Sequence, residues 1–153
     1  SDKDLKKLFA TYKRKKGTSM VHPDLSSLVN HCESVPFSSF EAVQERGYTN
    51  EMSSFVEISG REMVMKWPEQ FVIYNSDYLS RIYPDGYRIM STNFNPQPFW
   101  NVGAQMVALN LQTCDNYVQL NQGKFMKNKG CGYVLKPENR LYSDSKVNPT
   151  AAS

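Results

Sequence analysis

Cysteine is scarce in this chain: Cys32, Cys114 and Cys131 are the only three. Their number is odd and no C-x-x-C spacing occurs, so they read as reduced cytosolic thiols, not as a disulfide frame or a metal site. Apolar runs are short as well. None reaches the ~18 residues of a membrane-spanning helix, and no charged-then-apolar stretch of the signal-peptide kind opens the sequence. Histidine occurs twice, as His22 and His31. Neither has an evident partner for acid–base chemistry, and a lone histidine reads as structural or solvated. No glycine-rich phosphate loop follows a strand-like run, which disfavours an α/β cofactor enzyme. The acids Glu51, Glu57 and Asp115 form no cluster of the roughly six to eight convergent oxygens that Ca²⁺ takes. No internal repeat is visible. Net charge is a mild +3, much of it within the first sixteen residues, so no polyelectrolyte character and no nucleic-acid partner follow.

What is present, in 153 residues, is enough for one domain with an ordinary core. It is organised around residues 51–112. Leu79-Ser80-Arg81-Ile82-Tyr83 is a short run of apolar and β-branched character that stops at the turn signal Pro84-Asp85-Gly86. An arginine and a tyrosine therefore stand at the C-terminal end of a strand. In a parallel α/β fold that end is where ligands bind, because the strand-to-helix loops open there. Glu51-Met52-Ser53-Ser54-Phe55-Val56-Glu57 reads as a second strand. Ser59-Gly60-Arg61-Glu62 has the S-x-x-E form of a capping box, and the helix it opens should end before Pro68. Pro68 then suits the first turn of a second helix carrying Phe71, Val72 and Tyr74. Residues 54–83 thus form one β-α-β unit whose strand ends lie side by side. Asn95-Pro96 starts a further helix that stops at Gly103. Residues 105–112 form a near-continuous apolar run, the pattern of a strand buried on both faces.

The remaining segments are less marked. Residues 1–20, with Lys6-Lys7 and Lys13-Arg14-Lys15-Lys16, read either as a solvated linker end or as a polybasic segment drawn to anionic lipid, at ~1 kcal/mol per basic residue. The first half of residues 25–37 is ambiguous between helix and strand. Residues 38–50 read as a loop with room for a short helix, and 115–129 as polar loop. Residues 130–137 look like a closing strand or ordered edge, and the tail beyond reads as disorder or a connection to a further domain.

Glu51-Met52-Ser53-Ser54-Phe55, Leu79-Ser80-Arg81-Ile82-Tyr83-Pro84, Asn93-Phe94-Asn95-Pro96, Phe99-Trp100-Asn101-Val102-Gly103, Gln105-Met106-Val107-Ala108-Leu109-Asn110 and Gly130-Cys131-Gly132-Tyr133-Val134-Leu135-Lys136-Pro137 stand out as six blocks. Together they resemble the Y half of the catalytic barrel of eukaryotic phosphoinositide-specific phospholipase C. They keep the family's order and spacing over most of the chain. Val29-Asn30, Ser38-Ser39-Phe40 and Ser54-Phe55-Val56-Glu57 are similar to the β-type members.

The resemblance implies an α/β fold that is the second half of a (β/α)₈ TIM-like barrel, completed by an X half; a whole barrel needs ~200 to 250 residues. It implies a linker end at 1–21, the Y-half domain at 22–137, and a tail at 138–153 leading to a following domain. The implied activity is calcium-dependent hydrolysis of phosphatidylinositol 4,5-bisphosphate to diacylglycerol and inositol trisphosphate, in signalling. Ser54 and Arg81 would hold the 4-phosphate of the inositol and Tyr83 would pack against its ring. Each alone has a plainer reading: a loop hydroxyl, a surface or salt-bridged arginine, a core tyrosine. Their joint match reverses those odds. The family's two catalytic histidines and its calcium-binding carboxylates belong to the X half and do not align here, so this chain is expected to hold no catalytic and no metal-ligating residue and to be inactive alone. Implied partners are the X half, the phosphoinositide, a membrane surface bound peripherally from the cytoplasm and, for a β-type member, G-protein subunits. The alternative is a catalytically inactive relative that only binds phosphoinositides or proteins. Two departures stand out. Met90-Ser91-Thr92-Asn93-Phe94 replaces the usual Asp-Ser-Ser-Asn-Tyr, and Gly103-Ala104-Gln105 replaces Gly-Cys-Gln.

Overall fold

The structure, a computed structural model, describes residues 22–28 and 31–138. The expected linker end, and all but the first residue of the expected tail, lie outside the described residues. A one-turn helix α1 (Pro23–Ser26) precedes β1 (Glu33–Ser34), α2 (Phe40–Arg46), β2 (Glu51–Val56), α3 (Glu57–Lys66), α4 (Pro68–Asp77), β3 (Leu79–Tyr83), α5 (Gln97–Asn101), β4 (Met106–Val107) and α6 (Asn116–Met126). The four strands form one sheet in the order β1-β2-β3-β4, and every pairing is parallel. Sequential parallel strands joined through helices on one side are how a barrel is assembled. The α/β half-barrel expectation is met.

Alternation along the strands divides the sheet into two faces. On β2, Glu51, Ser53 and Phe55 are buried while Met52, Ser54 and Val56 are not; on β3, Ser80 and Ile82 are buried between the partly open Leu79, Arg81 and Tyr83. The buried face carries the core. Phe55 and Ile82 pack with Phe37, Phe40, Phe71 and Tyr74 among others. The rings meet edge-on: Phe37 with Phe55 at 5.3 Å, Phe55 with Phe71 at 5.6 Å, Phe94 with Phe99 at 5.3 Å. Each buried phenylalanine contributes roughly 1.5–3 kcal/mol through area removed from water.

Several helix boundaries fall where the chemistry places them. Ser39 caps α2 by accepting from the Ala42 amide at 3.1 Å. Pro68 occupies the first turn of α4, and the Asn95 side chain accepts from the Gln97 amide at 3.0 Å at the start of α5. The Ser59-x-x-Glu62 capping box does not form. Helix α3 begins directly at the end of β2 with no side-chain cap, leaving Ser59 buried inside the helix and Glu62 paired with Lys66 at 3.2 Å. Gly60, in that first turn, lets α3 approach α5 closely. A Cβ there would lie 2.9 Å from the Phe99 ring, so the first turn of α3 is pressed onto α5.

Residues 25–37, whose first half read as either helix or strand, hold among the described residues the end of α1 and the two-residue β1, and the Val35 amide still reaches Met52 O at 2.9 Å before Pro36 ends the pairing. Three further expectations need correction. Residues 105–112 are not a strand buried on both faces: β4 has two partly exposed residues, with one further ladder bond from the Ala108 amide to Ile82 O at 2.8 Å. Its outer side has no strand beside it among the described residues, which is the condition of an edge. Residues 115–129 are not loop. Asp115 accepts from the Tyr117 and Val118 amides at 3.1 Å and opens α6, whose sole fully buried residue is Val118. One buried position gives no apolar periodicity to read. Residues 130–137 form no strand. Tyr133 and Leu135 are exposed along them and Lys136 turns inward.

Lys136 donates to Asn75 O at 2.5 Å, at the last turn of α4. Asn75 is fully buried and donates its own amide to Val102 O at 2.8 Å, while its Oδ1 accepts from Ser80 Oγ at 2.5 Å. Gln105 completes the knot. Its Nε2 donates to Asn75 O and Tyr78 O, and its Oε1 accepts from the Ser80 amide at 3.0 Å. A side chain thus takes the place of a ladder partner one residue before Arg81.

Candidate functional site

The three residues expected to meet a ligand are brought together. Ser54 and Arg81 are direct partners in the β2–β3 ladder, and Val56 stands opposite Tyr83. Partners across a parallel ladder point to the same side, so Ser54, Arg81 and Tyr83 share the face turned away from the helices. Ser54 is exposed, and Arg81 and Tyr83 are half-exposed. The guanidinium carbon of Arg81 lies 5.2 Å from the centre of the Tyr83 ring, a cation–π contact worth roughly 0.5–1 kcal/mol at an open site. The side chain of Arg81, whose backbone is held in the ladder, makes no hydrogen bond or ion pair with any described residue. A planar fork stacked on an aromatic ring, with none of its donors spent on a described residue, is suited to a bidentate phosphate contact.

Nearby acids are neutralised within the fold. Glu57, the residue after β2, is buried and bonded twice by Arg88, through Nε and through Nη2 at 2.7 Å, and once by the Asp85 amide at 2.9 Å. Burial pushes its carboxyl up, but the Arg88 and Asp85 hydrogen bonds outweigh burial and hold it below the usual range. Glu51 is paired with Arg46 at 2.7 Å. Asp115 is occupied as the cap of α6 and by Asn93, whose amide and side chain both donate to it at 3.0 Å. These three acids are the ones weighed above as calcium donors, and each is committed elsewhere. Among the described residues no three of His, Cys, Asp and Glu gather to hold a metal. His22 and His31 are exposed, as are all three cysteines.

Sequence reasoning missed the Glu57–Arg88 pair. The two lie 31 residues apart and no local pattern joins them. Only the side-by-side placement of β2 and β3 does.

Comparisons with known proteins bear on the family and the fold. Residues 25–139 match the model of the family described as phosphatidylinositol-specific phospholipase C, Y domain. The chain is 46% identical over 134 residues to the 1-phosphatidylinositol 4,5-bisphosphate phosphodiesterase of Drosophila melanogaster, covering 88% of this chain and 12% of that protein. It is 45% identical over 140 residues to the human beta-4 phosphodiesterase of the same name, covering 92% of this chain and again 12% of the relative. Among solved structures, that of L. pealei PLC21 superposes with a TM-score of 0.84 at 40% identity, over 95% of this chain and 19% of that one. The chain therefore spans a small part of the proteins it matches. A parallel α/β half-barrel, a family match over most of its length and identities of 45–48% to beta-type proteins lead to one conclusion: the chain belongs to the phosphatidylinositol-specific phospholipase C Y-domain family, on its β-type side.

Proposed function

We propose that this chain is the headgroup-holding half of a phosphoinositide phospholipase C, and that with an X half it hydrolyses phosphatidylinositol 4,5-bisphosphate. The observation that carries the reading is the pairing of Ser54 with Arg81 on the open face of the sheet, beside Tyr83. Arg81 takes two oxygens of the 4-phosphate through parallel N–H donors, and the Ser54 hydroxyl donates to a third. Tyr83 offers its ring to the flat side of the inositol and steadies the guanidinium before the ligand arrives. These contacts orient the substrate; they move no proton. The acid–base groups and the Ca²⁺ are assigned to the X half, a placement supported by the commitment of Glu51, Glu57 and Asp115 to other partners. Ca²⁺ there would lower the pKa of the attacking hydroxyl and offset charge on phosphorus. The substrate being a bilayer lipid, the enzyme works peripherally at the cytoplasmic membrane surface. Likeness to beta-type relatives adds G-protein subunits as partners.

The test is hydrolysis of phosphatidylinositol 4,5-bisphosphate and of unphosphorylated phosphatidylinositol by a protein carrying both halves, with and without Ca²⁺. Arg81→Ala is expected to lower kcat/KM on the bisphosphate by ~10²-fold, as loss of a charged bidentate contact does, and to change the unphosphorylated lipid little. A well-folded protein that binds headgroup and never turns over would instead be the inactive binding relative. Equal loss on both lipids would remove Arg81 from the phosphate site.

A further inference from the structure

The loop that follows β3 buries almost nothing, yet it flanks the site. Tyr87, Ile89 and Met90 are 92%, 91% and 80% exposed, so hydrophobic packing does not order it. Polar anchors do. Its first turn is tied by the Asp85 amide to Glu57 Oε1 at 2.9 Å, and its far end by Thr92 Oγ1, which accepts from Arg88 Nη1 at 2.9 Å. Between these points Arg88 grips the Glu57 carboxylate with Nε and Nη2. Ser91 meanwhile holds φ at 51°, a left-handed value that needs surrounding contacts to persist. The anchor belongs to one site strand and the loop to the other. Glu57 comes three residues after Ser54, and Arg88 five residues after Tyr83.

We propose that the Glu57–Arg88 ion pair is the positioning device of the phosphate clamp, bolting the end of the Ser54 strand to the loop of the Arg81 strand so that hydroxyl, guanidinium and ring face one phosphoinositide headgroup. The proposal rests on the phosphoinositide reading above. Neither residue touches substrate: Arg88 spends its fork on Glu57 and Thr92, and Glu57 is 8% exposed at its side chain. Their role is to make the clamp stiff. A two-bond pair sets direction as well as distance, and burial makes its loss costly.

The experiment compares KM and kcat of the full enzyme, both halves present, on phosphatidylinositol 4,5-bisphosphate and on unphosphorylated phosphatidylinositol. The variants are Glu57→Gln, Arg88→Gln, the double variant and Arg81→Ala. Each single change at the pair is expected to raise KM for the bisphosphate by ~10-fold with a much smaller effect on kcat, the signature of lost positioning in a binding step. The unphosphorylated lipid, which does not use the clamp, should shift far less. Because the two residues act as one unit, the double variant should lose no more selectivity than the worse single. Should Glu57→Gln fail to fold, Arg88→Gln on the open side of the pair carries the same reading. Unchanged selectivity, equal loss on both lipids, or losses that multiply in the double variant would each overturn the proposal. If Arg81→Ala itself leaves lipid preference intact, the underlying site assignment falls, which separates that failure from a failure of the ion pair.

Discussion

Lys136 shows how one side chain couples a distant segment to the site. Its ammonium meets the C-terminal turn of α4, where unpaired carbonyls favour a cation, and it sits beside Gly103, whose φ of 81° brings the backbone close. Burial pushes its pKa down from the ordinary 10.5 to about 8. The folded state therefore binds this proton less readily than the unfolded chain does. The sign follows: protonation of Lys136 opposes folding at and below pH 8, and that opposition fades as pH rises from about 8 towards the unfolded value near 10.5. In protein carrying both halves, the stability difference between the native sequence and Lys136→Met should move in favour of the native one between pH 7 and pH 9.5. Denaturant midpoints at the two pH values measure it. A difference that does not change with pH would mean the amine titrates normally.

Among the elements, α3 is the one whose position the site can least spare, since it continues β2 past Ser54 without a turn. Its seat on α5 depends on a missing side chain. In Gly60→Ala the new methyl would stand 2.9 Å from the Phe99 ring and 3.4 Å from Ile82 Cδ1, both fully buried. Overpacking of this kind costs ~1–3 kcal/mol, against a gain of ~1 kcal/mol in helix propensity. A net loss of about 1 kcal/mol is expected in urea unfolding of protein carrying both halves, and a gain would show that α5 yields.

The elements also show what a sequence discloses. β2, β3 and α4 were legible because each has a strong local signal: alternation, a turn, a proline at a helix start. That Ser54, Arg81 and Tyr83 lie on neighbouring strands was legible because each sits in a contiguous strand motif, while their proposed role came from the family resemblance and not from any local pattern. Helix α6 was not, because it buries one residue, and the length of β4 was not, because an apolar run does not say whether a neighbour pairs with it. The ion pair between Glu57 and Arg88 lay beyond reach for a third reason: it exists only once two strands are set side by side.

At the scale of the whole molecule, one face of the sheet has no cover among the described residues. Met52, Val56, Leu79 and Met106 share the open face with the site residues, and β4 presents an edge. Wet apolar groups and unpaired strand edges favour association between chains. Expressed alone, the chain is expected to be poorly soluble or molten, with no sharp thermal transition and strong binding of a hydrophobic dye. Co-expression with an X half should restore a cooperative melt. A sharp transition in the isolated monomer would count against this.

The register of β2 on β3 has a consequence for how recognition can change over time. The roots of Ser54 and Arg81 are one ladder step apart, and that step is a fixed spacing of parallel sheets, about 4.8 Å. It cannot be tuned in small increments. A slip of one residue would carry Arg81 to the opposite side of the sheet, among the phenylalanines. Variation at this site is therefore stepwise: the identity of a residue can be exchanged, but the distance between the two positions is inherited whole.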